Sequence, residues 1–461
     1  MRLSVNAIPG ARAGTAPRTW GLALGERLEV SFPPGSLRRR IAAGASWSVL
    51  GSGLSQGMAL VAAALAARTL GAGEYGSLVV VVGTSTVLAE VAGAGLAVAA
   101  TRHVAELREA APERAGRIAG GAVGLAAAAG LLLAALQILL APWVAGSLLS
   151  APHLAPLLRA AAPPTLTAAV CSAQAGALSG LEAFRGLAMA GAARGLATLA
   201  AVLPGALLAG APGALAGTLV AAVACAGVQH RALRDQALRR SIPLRFVPRP
   251  EDLTDLAGVG VPAVAASLVL TVATWMSTAL LARMSLAEAG VLGVARQWQG
   301  VVLFLASAVS GLGLPLLASA LPSRDFGALR RALGVGFAAT TGLAFAAALP
   351  VALLAPRLLS ASGTAFADRG AVLVLACVAA VLLAANMAVG QAIWALGAHR
   401  AGVLLALLRG GLLVLLSAAL APRGADGTAL AWVGTAALLT LVQVPFVAWI
   451  LARKRAEWSA A

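Results

Sequence analysis

The sequence predicts an all-α polytopic membrane protein, with about 12 transmembrane helices in two parallel six-helix lobes. Three observations predict it. Of 461 residues, 60% are hydrophobic and 11% charged, with a mean hydropathy of +0.90; a soluble protein would be about one-quarter charged. The apolar residues gather in runs of ~20 without alternation, which suits helices that cross a bilayer and not an outer-membrane barrel. Finally, the chain resembles itself at a constant offset, the one that carries Arg68 onto Arg283. These features exclude a soluble globular enzyme, a disordered chain and a disulfide scaffold. Cys171, Cys225 and Cys377 stand far apart in three apolar segments, so neither a disulfide nor a metal framework is expected.

Residues 1–41 are polar and contain arginines, with no apolar core of signal-peptide length, and read as a cytoplasmic tail. Twelve apolar segments follow, at 43–67, 77–100, 118–140, 155–179, 187–209, 212–229, 257–282, 290–320, 333–355, 370–394, 401–421 and 428–451. The eighth exceeds what a bilayer needs, so it tilts or extends past the membrane. The 52 glycines run through these segments, as expected where membrane helices pack closely through small residues. The first lobe is assigned to 42–229 and the second to 257–451. A basic linker at 230–256, with Pro243, Pro248 and Pro250, joins them, and 452–461 forms a second cytoplasmic tail.

The net charge of +17 would ordinarily suggest nucleic acid or acidic lipid. Its distribution points elsewhere. With the N-terminus inside, 25 basic residues fall on the inner side. Six fall on the outer side (Arg68, Arg283, Arg296, Arg357, Arg369, Arg423), and Arg159, Arg194 and Arg409 sit within spans. That excess places both termini in the cytoplasm, makes most of the charge an orientation signal, and leaves no nucleic-acid partner expected.

The repeat begins at span 1 and again at span 7. Ala64-Leu65-Ala66-Ala67-Arg68 followed by Glu74 is echoed by Ala279-Leu280-Leu281-Ala282-Arg283 followed by Glu288. Gly93-Ala94-Gly95-Leu96 is echoed by Gly311-Leu312-Gly313-Leu314. At the offset of the first match, Leu181, Ala183, Arg185, Arg194 and Gly195 recur as Leu396, Ala398, Arg400, Arg409 and Gly410. Six spans, an even number, separate the copies, so the halves share one orientation about an axis along the membrane normal. Transporters built this way hold substrate between the halves and rock them.

Gly71-Ala72-Gly73-Glu74-Tyr75-Gly76 fits the dinucleotide pattern G-x-G-x-x-G, but between two membrane helices it reads as a tight turn. No Walker A sequence is present. Together with Ala67-Arg68-Thr69-Leu70-Gly71 and Gly93-Ala94-Gly95-Leu96, this stretch resembles the opening of the polysaccharide-biosynthesis flippases. These are the Wzx-like and O-antigen-exporter relatives in the multidrug/oligosaccharidyl-lipid/polysaccharide (MOP) exporter superfamily, whose fold is MATE-like. Gly260-Val261-Pro262, Gly290 to Gln297 and Gly180-Leu181-Glu182-Ala183-Phe184-Arg185 are similar to that family's segments at corresponding places, over residues 40–450. Leu292 departs from a frequent aromatic, and the long N-terminal tail is unusual. The resemblance implies export of an undecaprenyl-pyrophosphate-linked oligosaccharide, as in O-antigen lipopolysaccharide assembly, from the inner to the outer leaflet of a bacterial inner membrane. It implies a lipid-linked oligosaccharide as substrate, with a polymerase and glycosyltransferases as partners.

The embedded polar residues can be read on their own, since an ionisable group within a span is a functional candidate by default. Arg194 and Arg409 each lie nine residues beyond a loop arginine, about 13 Å deep at ~1.5 Å per residue. Paired guanidiniums facing a cavity would suit a pyrophosphate; packing within each lobe is the alternative. Arg296, near the start of span 8 beside Gln297 and Gln299, is a candidate substrate contact, with Gln297. Gln56 in span 1 either lines the cavity or bonds a neighbouring helix. Glu90 is the one carboxylate deep in a span, and either couples transport to a proton or sodium ion, pairs with an arginine on a neighbouring span, or stays permanently protonated. Arg68 and Arg283 are expected to pair with Glu74 and Glu288 across their turns. No catalytic residue, metal or cofactor is expected, and the histidines have no metal spacing. A cation antiporter of the same fold would need carboxylates in spans 1 and 7, which have none. A polymerase or ligase would need a large outer loop, and even the longest outer loops, 141–154 and 356–369, are short.

Overall fold

The computed structural model describes residues 37–320 and 326–460, which are mostly helical with no strand among them. The first continuous helix, Leu37–Leu107, breaks at Gly71 (φ 74°, ψ 171°) into arms α1 (37–70) and α2 (72–107). Helices α3 (Pro112–Trp143) and α4 (Ala162–Gly180) follow. The helix Phe184–Arg239 breaks at Ala209 and Gly210 into α5 (184–208) and α6 (211–239). The second half contains α7 (Pro250–Met284), α8 (Leu286–Ala320), α9 (Phe326–Leu353), α10 (Gly370–Ala395), α11 (His399–Leu420) and α12 (Gly424–Ala460). At least seven continuous helices are long and apolar enough to cross a membrane. The protein is a polytopic helical membrane protein. The six-residue pattern at 71–76 is neither loop nor nucleotide cradle, because α2 resumes immediately after the Gly71 bend.

The repeat is visible in the backbone. Gly210 (φ 61°, ψ −143°) and Gly424 (φ 70°, ψ −150°) adopt the same left-handed conformation at matched places in the two halves. Glu182 and Gly397 both have positive φ, and Ala183 and Ala398 start the next helices at φ/ψ of −85°/48° and −84°/51°. Two chain halves therefore fold on one local plan.

Three expectations are revised. The outer loops 141–154 and 356–369 are largely helical. Short turns at Val144–Leu148, Pro152–Leu154, Ala355–Ala361 and Thr364–Phe366 pack Leu149 and Phe366 into the core. The segment read as one span at 155–179 bends by 45° at Ala161, because Pro163 and Pro164 lack the N–H groups that would continue the preceding turn. The linker is shorter than 230–256. The Ala-, Leu-, Gln- and Arg-rich stretch after Gln229 favours helix and carries α6 to Arg239. Pro250 then opens α7, and Asp252 accepts the Arg249 N–H at 3.1 Å.

Residues 240–249 lie along α3. Gly116, Gly120 and Gly124, one turn apart, leave a groove in which a Cβ would meet the carbonyl oxygens of Pro243, Arg245 and Phe246 at 2.1, 2.4 and 2.2 Å. At this linker end the buried Asp252 carboxylate faces Arg117 at 3.2 Å, and Arg114 meets Asp255 at 2.6 Å. This ties α3 of the first half to the start of α7 in the second. At the opposite end, which carries Gly71 and Gly210, the largest apolar cluster runs across both halves through Tyr75, Val81, Leu281, Leu292 and Phe366.

Candidate functional site

Between the halves lies a cavity of about 440 Å³, walled by α1, α2, α5 and α6 on one side and by α7 and α8 on the other. Small residues create it: Ala59, Ala62, Ala63 and Ala66 from α1, Gly83 from α2, and Gly293 and Gly300 from α8. Its polar lining consists of Gln56, Tyr75, Arg296, Gln297 and threonines 86, 198, 218, 271 and 278, with Trp275. No carboxylate is among the residues that line it. Near the far end the cavity is closed by direct backbone packing of α2 on α8. A Cβ on Gly76 would lie 1.8 Å from the Leu286 carbonyl oxygen, and one on Gly290 would lie 2.2 Å from that of Ala72. Towards the linker end α2 meets α7, where a Cβ on Gly95 would lie 2.4 Å from the Gly260 carbonyl oxygen. Trp275 of α7 crosses between halves, donating from Nε1 to Thr84 Oγ1 of α2 at 3.0 Å.

Arg296 holds the central position. It lies ten residues into α8, about 15 Å from the helix start at ~1.5 Å per residue. It is therefore an intramembrane cation and not an outer-surface residue, as its inclusion among the outer charges assumed. It is exposed, and what it is exposed to is the cavity. Arg296 and Gly300 also line a second chamber of about 240 Å³, inside the second half, together with Arg409, Gln299, Thr274, Trp432 and Thr435. Two arginines thus share a chamber whose lining holds no acid, and the Thr435 hydroxyl there has no hydrogen-bond partner. Uncompensated guanidinium charge in a low dielectric favours an anionic guest.

The other sequence candidates fall as follows. Gln56 and Gln297 line the central cavity with Arg296. Arg409 joins Arg296 in the side chamber, whereas its repeat partner Arg194 lines neither. Arg194 is exposed on α5, one helical turn towards the linker end from the cavity residue Thr198. Glu90 occupies the matching place on α2, one turn towards the linker end from Thr86, and is half-buried. Among the described residues no hydrogen bond or ion pair engages Glu90.

The expected turn pairs are corrected. Glu74 accepts the Ala211 N–H at 3.3 Å, and Glu288 accepts the Ala425 N–H at 2.7 Å, at equivalent points of the repeat. Each carboxylate serves the unsatisfied N–H groups at a helix start, an electrostatically favourable place. The left-handed Gly210 and Gly424 leave room: a Cβ there would meet the glutamate oxygens at 2.9 and 2.6 Å. Glu288 also takes both nitrogens of Arg369, one at 2.6 Å, and Asp426 stands 3.5 Å from the same guanidinium. Arg68 and Arg283 are exposed instead. Burial alone would raise the Glu288 carboxyl, but Arg369 and the Ala425 N–H outweigh it and hold it below the ordinary carboxylate range. A depressed folded value gives stability that is full above the ordinary carboxylate range and is lost as pH falls through the folded value. Glu288→Gln should therefore melt below wild type at pH 7. The gap should narrow below about pH 4, where unfolded carboxylates protonate. Thermal unfolding in detergent at both pH values checks this, and a gap that does not change with pH would remove the clamp.

Sequence reasoning missed Trp275, Tyr75 and the threonine ring. The available signal was a polar residue every third or fourth position in otherwise apolar spans, as at Thr271, Trp275 and Thr278.

The sequence profile described as "Polysaccharide biosynthesis protein" matches residues 41–322. The chain belongs to that family. This family member is also similar in structure to solved transporters. One is the lipid II flippase MurJ in an inward closed conformation: TM-score 0.69, 12% identity, covering 90% of this chain and 91% of that one. Another is an inward-facing multidrug resistance MATE family transporter of the MOP superfamily: TM-score 0.67, 16% identity, 87% and 98% covered. A third is a MOP superfamily transporter from Pyrococcus furiosus, described by the reverse polarity of its binding pocket: TM-score 0.60, 17% identity, 92% and 97% covered. No curated protein matches the sequence. At identities this low, the structural overlap shows a shared fold. The family is thus that of polysaccharide-biosynthesis proteins, and the fold is the one these solved transporters share.

Proposed function

We propose that the protein is a flippase that moves a polyprenyl-pyrophosphate-linked oligosaccharide from the inner to the outer leaflet of a bacterial cytoplasmic membrane, serving cell-surface polysaccharide export such as O-antigen assembly. The observation that carries this reading is Arg296, an intramembrane cation open to a cavity between the two halves whose lining contains no carboxylate. The headgroup enters that cavity while the prenyl chain stays in lipid, and rocking of the halves changes the side of access. The basic linker end faces the cytoplasm, with both termini, in keeping with the excess of 25 basic residues over six. The membrane potential assists: two negative charges moving outward across 100 mV gain about 4–5 kcal/mol, at ~2.3 kcal/mol per charge. No carboxylate in the cavity lining is placed to pair with a cationic drug, and Arg296 would repel one, which disfavours the multidrug reading. Polymerase and glycosyltransferases act before and after this step as its metabolic partners.

The test is transfer of a fluorescent prenyl-pyrophosphate oligosaccharide between leaflets of reconstituted vesicles, with a lipophilic cation as the competing cargo. Cation transport without oligosaccharide transfer would reverse the assignment. Glu90, one helical turn from the cavity residue Thr86 on α2, is proposed as the site where a proton or sodium ion couples to the cycle. Glu90→Gln should lower the transport rate about tenfold under a pH or sodium gradient and flatten its dependence on that gradient. An unchanged gradient response excludes the role.

A further inference from the structure

A second, apolar pocket of about 170 Å³ adjoins the central cavity, walled by α2, α3 and α7. Trp275 and Val87 line both spaces, so the indole forms the partition between them. Three lining residues carry polar side-chain atoms, and all three are engaged elsewhere. The Thr84 hydroxyl donates to the Val80 carbonyl at 2.9 Å and accepts the Trp275 N–H at 3.0 Å. The Gln137 amide donates to Ser85 at 3.2 Å and to the Leu158 carbonyl at 2.9 Å, and accepts from Thr165 at 2.6 Å. What remains facing the pocket is hydrocarbon from Leu88, Leu136, Leu140 and Leu158. Leu136 and Leu140, one turn apart on α3, are 40% and 41% exposed, so the pocket borders the bilayer on that side.

We propose that this pocket seats the first isoprenoid units of the lipid carrier while its pyrophosphate lies at Arg296, with Trp275 the partition at the junction of tail and headgroup. This rests on the flippase reading. In lipid, hydrocarbon alone gives little preference for one chain over another, because acyl tails are as apolar as leucine. The preference comes from tethering. A pyrophosphate held in the cationic cavity presents its own first isoprene units to the neighbouring pocket at high effective concentration, an advantage that no bulk acyl chain has. The Trp275–Thr84 hydrogen bond joins the two halves across this junction, so a tail that displaces the indole also releases a contact that rocking must break.

The test uses the full-length protein in vesicles of phosphatidylethanolamine and phosphatidylglycerol. The probe is a polyprenyl pyrophosphate with a photoreactive diazirine in its first isoprene unit. Peptide mapping should find the label on Leu88, Leu136 or Leu140, displaced by unlabelled polyprenyl pyrophosphate and not by excess phospholipid. Labelling elsewhere, or equal labelling by a diazirine phospholipid that the prenyl compound does not displace, overturns the proposal. A second measurement narrows the pocket with Leu140→Trp. The KM for the prenyl-linked oligosaccharide should rise about tenfold, with inorganic pyrophosphate binding unchanged; an unchanged KM counts against the seat. Failure of the wild type to move any prenyl-linked oligosaccharide would instead refute the flippase reading, and the labelling pattern reports on the seat separately.

Discussion

Arg296→Ala should reduce transfer of a prenyl-pyrophosphate oligosaccharide by about 100-fold, the largest loss expected from any single cavity substitution. The reason is position as much as charge. Arg296 is the one ionisable side chain other than Tyr75 among the residues lining the central cavity, and it also forms a wall of the side chamber with Arg409. Removing one partner of a desolvated, charge-assisted hydrogen bond costs about 2–5 kcal/mol, and ~1.4 kcal/mol is tenfold. Arg296→Lys keeps the charge but loses the planar fork that grips two phosphate oxygens, so transfer should recover only in part. Arg409→Ala, one chamber removed, should cost less, about tenfold. The measurement is initial transfer rate in vesicles, with protein folding checked by its melting curve. Wild-type rates in Arg296→Ala would mean that the anion is held elsewhere.

How much of this was readable beforehand follows the range of the interactions. The all-helical, many-span character depends on local apolar runs written along the chain; the bends at Gly210 and Gly424 are not legible there, because they depend on a carboxylate that arrives from another helix. Partners across space were not readable. Arg68 and Glu74 are near in sequence, yet Glu74 reaches an N–H 137 residues away, because a helix start there offers unsatisfied donors. Arg194 and Arg409 are equivalent in the repeat, yet only Arg409 reaches a described chamber. The lining is not symmetric: α5 contributes Thr198 and Val202 to the central cavity whereas its repeat partner α11 contributes none, and a repeat carries no information on such a difference. Trp275 looked like one more apolar residue in span 7, and its role depends on Thr84 in another helix.

The second large effect is conformational. At the far end Gly76 lies so close to α8 that an added Cβ would stand 1.8 Å from the Leu286 carbonyl oxygen, a backbone atom that cannot turn aside. The reciprocal approach of Gly290 to Ala72 puts the two helices backbone to backbone over this stretch, so relief comes only by their separation. Gly76→Val must therefore push the halves apart at that end. Overpacking costs about 1–3 kcal/mol where a core can adjust, and a shift of that size changes a two-state population by roughly 5- to 150-fold. The closed arrangement loses that much and an arrangement open at the far end does not, so the equilibrium should move towards far-end opening. Spin labels at the exposed positions Thr69 and Ala287, with the three native cysteines replaced, report the separation directly. The distance distribution should lengthen, and transfer should fall at least tenfold because the cycle requires closure at both ends. A distribution unchanged from wild type, with full transfer, would show that contact between α2 and α8 does not close the cavity.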